Sequence, residues 1–222
     1  MERTARIKSM EAITADVIRF RLEKPESIAY NPGQAVDVSI DRPGWEKELR
    51  AFTFTSLNED DYLEFCIKTY PDHHGVTEQL RRFTTDDSFI LHDVFGTIAY
   101  KGPGLFIAGG AGITPFIAIF KALERQGKVG ANKLMFANKT QADIILKDYF
   151  DGLLGDQFVN VLSNEEVAGC EHGYVTADLI KKYRTAGLNY FYLCGPDPMM
   201  DAVYASLQAM GVAEEFIIRE QF

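Results

Sequence analysis

The sequence has few of the residues that organise disulfide-rich, metal-binding or membrane proteins. Its 222 residues include three cysteines, Cys66, Cys170 and Cys194, which lie far apart and form no C-x-x-C pair. This spacing does not favour a disulfide framework, a zinc site or an iron-sulfur cluster, and we expect no metal site. No run of eighteen apolar residues is present, and no apolar segment follows the charged amino terminus. We therefore expect no membrane span, no signal peptide and a cytoplasmic location.

Basic residues are also in the minority. The chain has 23 lysines and arginines against 32 aspartates and glutamates, a formal net charge of -9. No cluster of basic side chains marks a nucleic-acid face, so we expect no nucleic-acid partner. The apolar content of 46% is enough for one large core or for two domains of about 100 residues each.

The first part of the chain shows the pattern of an antiparallel barrel. Short segments rich in β-branched and aromatic residues alternate with turn signals such as Asn31-Pro32-Gly33. One short helix is predicted over residues 76–83, just after a glycine. The predicted strands cover residues 3–13, 15–24, 35–40, 52–55, 62–68 and 89–92, and together they indicate a small β-barrel.

From Lys101 onward the pattern changes to alternating strands and helices. This alternation predicts a parallel, doubly wound α/β sheet. We place the domain boundary after the barrel, giving domains of residues 1–101 and 102–222 with a cleft between them. The predicted strands cover residues 105–108, 133–137, 158–162, 190–193 and 215–219, and the predicted helices cover residues 114–126, 142–150, 176–183 and 198–210.

The stretch from Leu105 to Phe120 reads as a buried strand, a glycine turn and a helix. We expect its glycines to allow positive φ angles and close approach of a ligand, with Thr114 as the N-cap and Pro115 at the first helical position. A helix start of this kind can bind a pyrophosphate. The pattern departs from the G-x-G-x-x-G fingerprint at its third position. By itself it is equally compatible with an ordinary tight turn.

A second turn with the same logic follows the strand at residues 190–193. It reads Cys194-Gly195-Pro196-Asp197-Pro198-Met199. Because the carboxyl ends of parallel strands lie at one edge of the sheet, both turns would face one crevice if their strands are neighbours. A thiol there could contact a cofactor ring, but a buried structural cysteine remains the alternative.

A third motif lies in the barrel half, where residues 50–56 read RAFTFTS. On a strand, Arg50, Phe52 and Phe54 would share one face. A cation beside aromatic rings suits a cofactor that is both anionic and flat, although an edge-strand arginine covering aromatic side chains is an alternative.

The order and spacing of these motifs resemble the ferredoxin-NADP reductase superfamily over essentially the whole chain. This resemblance implies a flavin-binding antiparallel barrel followed by a pyridine-nucleotide domain. The motifs that carry it are Pro32-Gly33-Gln34, Arg50-x-Phe52-Thr53, Gly75-x-Thr77-x-x-Leu80, Gly109-Gly110-Ala111-Gly112-Ile113-Thr114-Pro115, Cys194-Gly195-Pro196-x-x-Met199 and Glu220-Gln221-Phe222.

The resemblance also implies roles for individual residues on the flavin side. Arg50 matches the arginine on the flavin pyrophosphate, Phe52 the aromatic beside the isoalloxazine, and Thr53 the hydroxyl near flavin N5. Phe222 matches a terminal aromatic that covers the flavin, whereas His73 and His74 are read as solvent-facing. The implied flavin-binding set is Arg50, Ala51, Phe52, Thr53, Gly75, Val76, Thr77 and Phe222.

On the nucleotide side, Cys194 matches the cysteine near the nicotinamide and Glu220 the acidic residue near the carboxyl terminus. With Thr53 and Phe222 these two form the implied catalytic set. Hydride transfer needs stacked rings, excluded water and a small donor or acceptor, and it needs no strong acid or base. The implied NAD(P)H-binding set is Gly110, Ala111, Gly112, Ile113, Thr114, Pro115, Asn138, Lys139, Cys194, Gly195, Pro196 and Met199.

The implied function is a flavin-dependent NAD(P)H oxidoreductase that passes electrons to a separate acceptor such as a ferredoxin, a flavodoxin or an oxygenase component. A reductase of free flavin or ferric chelates is the alternative, and a flavin-free nucleotide-binding module is a third. The resemblance favours FAD over FMN. Glu165 and Glu166 would repel a 2'-phosphate that Lys139 could partly offset, which favours NADH, although both carboxylates could simply solvate a loop. The sequence does not fix the oligomeric state.

Overall fold

The first half of the protein is a six-stranded antiparallel barrel. The computed structural model describes residues 2–71 and 73–220. The strands are β1 (Arg3–Ala12), β2 (Val17–Glu23), β3 (Ala35–Ile40), β4 (Arg50–Thr53), β5 (Tyr62–Lys68) and β6 (Ser88–Phe95). They pair in the order β4-β3-β6-β1-β2-β5. The two edge strands approach each other where the Thr55 N–H donates to the Glu64 carbonyl at 2.8 Å, and this contact closes the sheet.

Strand β5 differs from its neighbours because it is buried on both faces over most of its length. Leu63, Phe65 and Ile67 point into the barrel core, as the period of two along a strand requires. Glu64 and Cys66 point the other way and are covered by the second half of the molecule, where Cys66 joins that half's apolar core. A single strand therefore belongs to both halves of the fold.

The predicted helix at residues 76–83 is present in two pieces. Helix α1 (Val76–Gln79) is followed by a 3₁₀ turn over Leu80–Arg82. Val76 and Leu80 are both fully buried in the barrel core, which fixes the helix against its open side.

The second half is a six-stranded parallel sheet covered by helices on both faces. Its strands are β7 (Gly104–Gly109), β8 (Lys133–Asn138), β9 (Phe158–Leu162), β10 (Glu171–His172), β11 (Tyr190–Cys194) and β12 (Ile217–Arg219), in the order β10-β9-β8-β7-β11-β12. One apolar cluster joins the sheet to α2 (Thr114–Arg125) and α3 (Lys147–Leu154). The other joins it to α4 (Ala177–Tyr183) and α5 (Asp197–Ala209). The predicted doubly wound sheet is confirmed.

Several predicted boundaries are wrong. Helix α3 begins at Lys147, five residues later than expected, because Gln141–Asp143 form a 3₁₀ turn closed by a Thr140–Asp143 capping box. Strand β10 was not predicted, since two residues carry no readable period. The final strand begins at Ile217 because Glu214–Phe216 form a 3₁₀ turn.

The connection between the two halves is anchored on the parallel sheet. The Tyr192 hydroxyl accepts hydrogen bonds from the Lys101 and Gly102 N–H groups at 2.8 and 3.0 Å and donates to the Gly102 carbonyl at 2.8 Å. The Tyr192 ring stacks on Phe106 at 4.1 Å. This arrangement fixes the chain at the point where β7 begins. Among the described residues, no helix has the length and apolar character needed to cross a bilayer.

Candidate active site

A cavity of about 210 Å³ lies between the barrel and the parallel sheet. It brings together residues that the sequence assigned to flavin, such as Phe52, Thr53 and Thr77, with Ala111 and Thr114 from the predicted nucleotide turn. Its lining is Ala51, Phe52, Thr53, Cys66, Ile67, Lys68, Tyr70, Thr77, Ala111 and Thr114. The two predicted groups therefore face one another across the same space.

Four lining residues were missed by the sequence analysis: Cys66, Ile67, Lys68 and Tyr70. They lie at or just beyond the end of β5, the strand that closes the barrel next to β4. The sequence analysis predicted strand β5 but not its pairing, and only the closure of the barrel places its end beside β4. The Lys68 ammonium is held by Asp16 at 2.9 Å, so it reaches the cavity rim as part of an ion pair.

Arg50 and the start of α1 converge at one end of this site. Arg50 is exposed at the first position of β4 and donates to the Leu49 carbonyl at 2.6 Å. A Cβ placed on Gly75 would lie 4.0 Å from the Arg50 guanidinium. Gly75 is the N-cap of α1 and has no side chain to satisfy the first N–H groups of the helix. A guanidinium beside uncapped N–H groups is suited to an anion such as a phosphate.

The predicted face of Arg50, Phe52 and Phe54 is wrong at its last member. Strand β4 ends at Thr53, and the Phe54 N–H donates to the Gln34 carbonyl at 3.1 Å. Phe54 is fully buried and stacks on Tyr30 at 3.8 Å, so it belongs to the barrel core. Phe52 remains half-buried and borders the cavity.

The glycine turn before α2 has a different local structure from the one predicted. Residues Gly110–Ile113 form a 3₁₀ turn that runs directly into the helix, so the N-cap is Ile113 in an αR conformation. Thr114 is helical, and its hydroxyl donates back to the Ala111 carbonyl at 3.0 Å. The prediction of Thr114 as the N-cap is therefore wrong, whereas Pro115 does lie in the first turn. Of Gly109, Gly110 and Gly112, Gly110 alone has a positive φ, of 51°.

Gly112 and Gly195 are needed because the two turns pack against each other. Strands β7 and β11 are neighbours, as the crevice hypothesis required. A Cβ on Gly112 would lie 2.6 Å from the Gly195 Cα and closer still to the Cys194 carbonyl. A Cβ on Gly195 would lie 3.0 Å from the Gly109 nitrogen. Pro196 and Met199 cover Gly109 from the same side, so the two sequence motifs form one structural unit.

Cys194 and Glu220 face each other at the edge of this unit. Burial raises the pKa of the Cys194 thiol to about 12, and the nearby Glu220 carboxylate adds to that shift. Burial also raises the pKa of Glu220, against a hydrogen bond from the Thr97 backbone. The Glu220 carboxylate reaches the end of the barrel, since a Cβ on Gly96 would lie 2.9 Å from it. Phe222, the remaining predicted catalytic residue, lies outside the described residues.

Asn138 is the last residue of β8 and Lys139 follows it at the carboxyl edge of the sheet. The Asn138 side-chain nitrogen is buried and lacks a hydrogen-bond partner. The backbone carbonyls of Asn138 and Lys139 accept from Ser163 and Asn164 at 3.0 and 2.9 Å, which ties the loops after β8 and β9 together. Lys139 itself is exposed. An unpaired buried amide at this edge is a donor that a nucleotide could satisfy.

Both carboxylates expected to repel a 2'-phosphate lie in the loop after β9, and one of them accepts a backbone hydrogen bond. Glu165 accepts the Gln141 N–H at 2.8 Å, so it stabilises the loop. Glu166 is 4.0 Å from His172 and exposed. In the barrel, His73 and His74 are exposed, as predicted, and His73 stacks on Tyr70 at 4.9 Å.

These residues fit a flavin nucleotide and a pyridine nucleotide. The site combines a guanidinium, uncapped N–H groups and an unpaired amide with the half-buried ring of Phe52 and close-packed glycine turns. Over residues 2–71 and 73–220, no three His, Cys, Asp or Glu side chains lie close enough together to hold a metal ion. The donor set is that of a phosphate and aromatic-ring site.

Comparison with known families agrees with this assignment. A model described as "FAD-binding domain" matches residues 3–107, and one described as "Oxidoreductase NAD-binding domain" matches residues 106–205. NADH-cytochrome b5 reductase 1 of Aspergillus terreus is 31% identical over 216 residues, covering 88% of this chain and 72% of that protein. The propane 2-monooxygenase reductase component of Rhodococcus jostii is 29% identical over 236 residues. That alignment covers 98% of this chain and 62% of the relative, so the chain spans under two thirds of that relative's length.

Solved structures share the fold. The CS-b5R domains of human Ncb5or in the NAD⁺ form superpose with a TM-score of 0.86 and 25% identity, covering 100% of this chain and 70% of that one. A ferredoxin NADP⁺ reductase from Neisseria gonorrhoeae with bound FAD and NADP gives a TM-score of 0.86 at 20% identity, covering 99% and 98% of the two chains.

Proposed function

Because the chain belongs to the ferredoxin-NADP reductase superfamily, with an FAD-binding and an NAD-binding domain, we propose that it is a flavin-dependent NAD(P)H oxidoreductase. It takes hydride from the nicotinamide and passes electrons to a separate acceptor. We propose domain limits of residues 1–101 and 102–222. The observation that carries the proposal is the single cavity in which Phe52, Thr53 and Thr77 face Ala111 and Thr114.

Bound FAD would supply the redox chemistry, since a flavin accepts a hydride and releases electrons singly. The role of the barrel is to hold and orient it. Arg50 would offset the charge of the phosphates, and the N–H groups at the start of α1, from Gly75 to Thr77, would donate hydrogen bonds to them. Ala51 and Phe52 would contact the ring, and the Thr53 hydroxyl would offer a neutral donor to it.

The parallel sheet binds the nucleotide at the two packed turns. Residues Gly110 to Pro115 and the start of α5, with Gly195, Pro196 and Met199, would hold the phosphates, while the Asn138 amide and Lys139 would extend the site along the sheet edge. Cys194 stays a neutral thiol at physiological pH because its pKa is about 12, so it acts as a polarizable wall. Glu220 orders this end of the site through its contact with the barrel, and Phe222 covers the flavin.

The acceptor is proposed to be a protein, because similar chains are reductases of protein acceptors or reductase components by name. Free flavin or a ferric chelate is the second candidate. A flavin-free nucleotide-binding module is disfavoured, because the chain keeps both Arg50 and Thr77. NADH is the preferred donor, since Glu166 remains an exposed carboxylate beside the loop where a 2'-phosphate would lie. A cytoplasmic location agrees with the three free cysteines.

Two measurements test this function. The purified protein should show visible flavin absorbance or take up added FAD, and a colourless protein that binds no flavin contradicts the proposal. Anaerobic mixing with NADH should bleach the flavin faster than the same concentration of NADPH. Faster bleaching by NADPH would overturn the preference for NADH. Mass spectrometry of the released cofactor separates FAD from FMN.

A further inference from the structure

The Glu64 carboxylate is buried where the barrel meets the α/β domain. Its side chain is 1% exposed, yet it is surrounded by donors from both halves of the molecule. Lys121 and the Thr55 hydroxyl donate to one oxygen at 2.8 and 3.1 Å, and Arg21 donates to the other at 3.0 Å. Burial would raise the pKa of Glu64, but these neighbours outweigh it and hold the pKa below its usual range. Glu64 is therefore a charged group under helix α2.

Helix α2 contributes two cations to this contact, and both are bound by the barrel. The Lys121 ammonium also donates to the Thr55 carbonyl at 2.8 Å. One helical turn later, Arg125 pairs with Asp60. We call these five residues, Thr55, Asp60, Glu64, Lys121 and Arg125, the interdomain ladder.

The interdomain ladder continues the wall of the cavity. Thr114, which lines the cavity, lies seven residues before Lys121, which is two helical turns on the same face. On the barrel side, Cys66 lines the cavity and lies two residues from Glu64 on β5, so the two side chains share a face of that strand. The Thr55 hydroxyl lies 3.8 Å from the Cys66 sulfur, and Thr53, two residues before Thr55, also lines the cavity. Lys121 therefore connects three segments that also border the cavity: helix α2, strand β5 and the chain just after β4.

We propose that Lys121 is a positioning residue that holds helix α2, and with it the turn Gly110–Thr114, at a fixed distance from the flavin-side strands. A rigid helix transmits this constraint to its own first turn, because the helix cannot shorten between Lys121 and Thr114. The Lys121–Glu64 ion pair sets the distance between the turn Gly110–Thr114 and the barrel, and hence the affinity for nicotinamide nucleotide. That last step rests on the proposed function, whereas the positional role does not.

The test uses the full-length protein with three changes at the ladder and one elsewhere. Lys121→Met removes the bond to helix α2 and leaves the buried Glu64 with Arg21 as its remaining cationic partner, while Lys121→Arg keeps the charge. The double variant Glu64→Gln with Lys121→Met removes the buried charge as well, so the stability lost in the single variant should largely return. Lys147→Met is the matched control, because Lys147 pairs with Asp151 inside α3 and does not line the cavity.

Two readouts separate positioning from stability. Hydrogen exchange without ligand should speed up at residues 110–114 by about tenfold in Lys121→Met and in the double variant, and stay unchanged in Lys147→Met. The NADH dissociation constant of the flavin-loaded protein should rise by about tenfold in the same two variants, because small misplacements of binding groups are costly. Lys121→Arg should keep the exchange rate at residues 110–114 and the NADH dissociation constant close to their wild-type values.

The outcomes are distinct. If the double variant regains both stability and wild-type exchange at the turn, Lys121 serves stability alone and the proposal is overturned. If exchange responds as expected but the wild-type protein binds no nicotinamide nucleotide, the proposed function fails while the positional role of Lys121 stands.

Discussion

Replacing Gly112 with alanine tests whether the two turns form one unit. The added Cβ would lie 2.6 Å from the Gly195 Cα, where ordinary contact begins near 3.4 Å, and the neighbouring atoms are backbone that cannot rotate away. The turns must therefore separate by roughly 1 Å, and overpacking of this kind costs about 1–3 kcal/mol. In a chain of this size, that cost lowers the thermal midpoint by roughly 2–12 °C. The same shift moves the nucleotide turn, so NADH affinity should fall by at least about tenfold.

Differential scanning calorimetry and NADH titration of the flavin-loaded protein measure the two effects. Gly152→Ala is the control for the change of residue type, because Gly152 lies inside α3 and a Cβ there meets nothing within 4 Å. Alanine at that position should stabilise the helix by about 0.5–1 kcal/mol and leave NADH affinity unchanged. An unchanged midpoint and affinity in Gly112→Ala would refute the packing argument.

Four further experiments probe other parts of the molecule. Arg50→Ala should weaken FAD binding to the apoprotein by about tenfold or more in a fluorescence titration, since a charge-assisted bond is lost, and unchanged binding would remove Arg50 from the flavin site. The pKa of Glu64 in the folded protein lies below the usual 4.5, so the ionised carboxylate stabilises the fold above that pH and this stabilisation is lost on acidification. The thermal midpoint of Glu64→Gln should therefore fall less steeply below pH 4.5 than that of the wild type. Parallel curves for the two proteins would contradict this. Burial raises the pKa of both the Cys170 and the Cys194 thiol, but more strongly that of Cys194, to about 12. Iodoacetamide should therefore label Cys170 before Cys194, and the reverse order in peptide mapping would count against this. Deleting Phe222 should leave FAD bound but change NADH affinity or turnover, and identical steady-state kinetics would argue against its covering role.

The sequence predicted most strands closely because their signals are local. For the strands at residues 35–40, 62–68 and 158–162, both predicted ends agree with the structure, since each run is bounded by turn signals and short enough to exclude a helix. The start of α3 was missed because Thr140 and Asp143 close a separate turn, a side-chain interaction that apolar periodicity does not report.

Part of the cavity lining was predicted from the sequence, but the physical reasons for it were not. Phe52, Thr53, Thr77, Ala111 and Thr114 do meet in one cavity, because motif order carries information about topology. The reason for each glycine was not readable, since a positive φ and a close contact look identical in sequence. The ladder partner of Glu64 was equally hidden, because the pair joins residues 57 positions apart.

The two packed turns explain why this chain has Pro115 where the dinucleotide fingerprint has its third glycine. In that fingerprint the third glycine allows close packing of helix against strand. Here the close packing occurs at glycines that precede position 115. Gly109 is covered by Pro196 and Met199, and Gly112 lies on the backbone of Cys194 and Gly195. The helix start is then free of that constraint, and a proline costs little in the first turn because its N–H would have no partner within the helix. The glycines after β7 and β11 therefore serve each other, and a change in one turn should be compensated only by a change in the other.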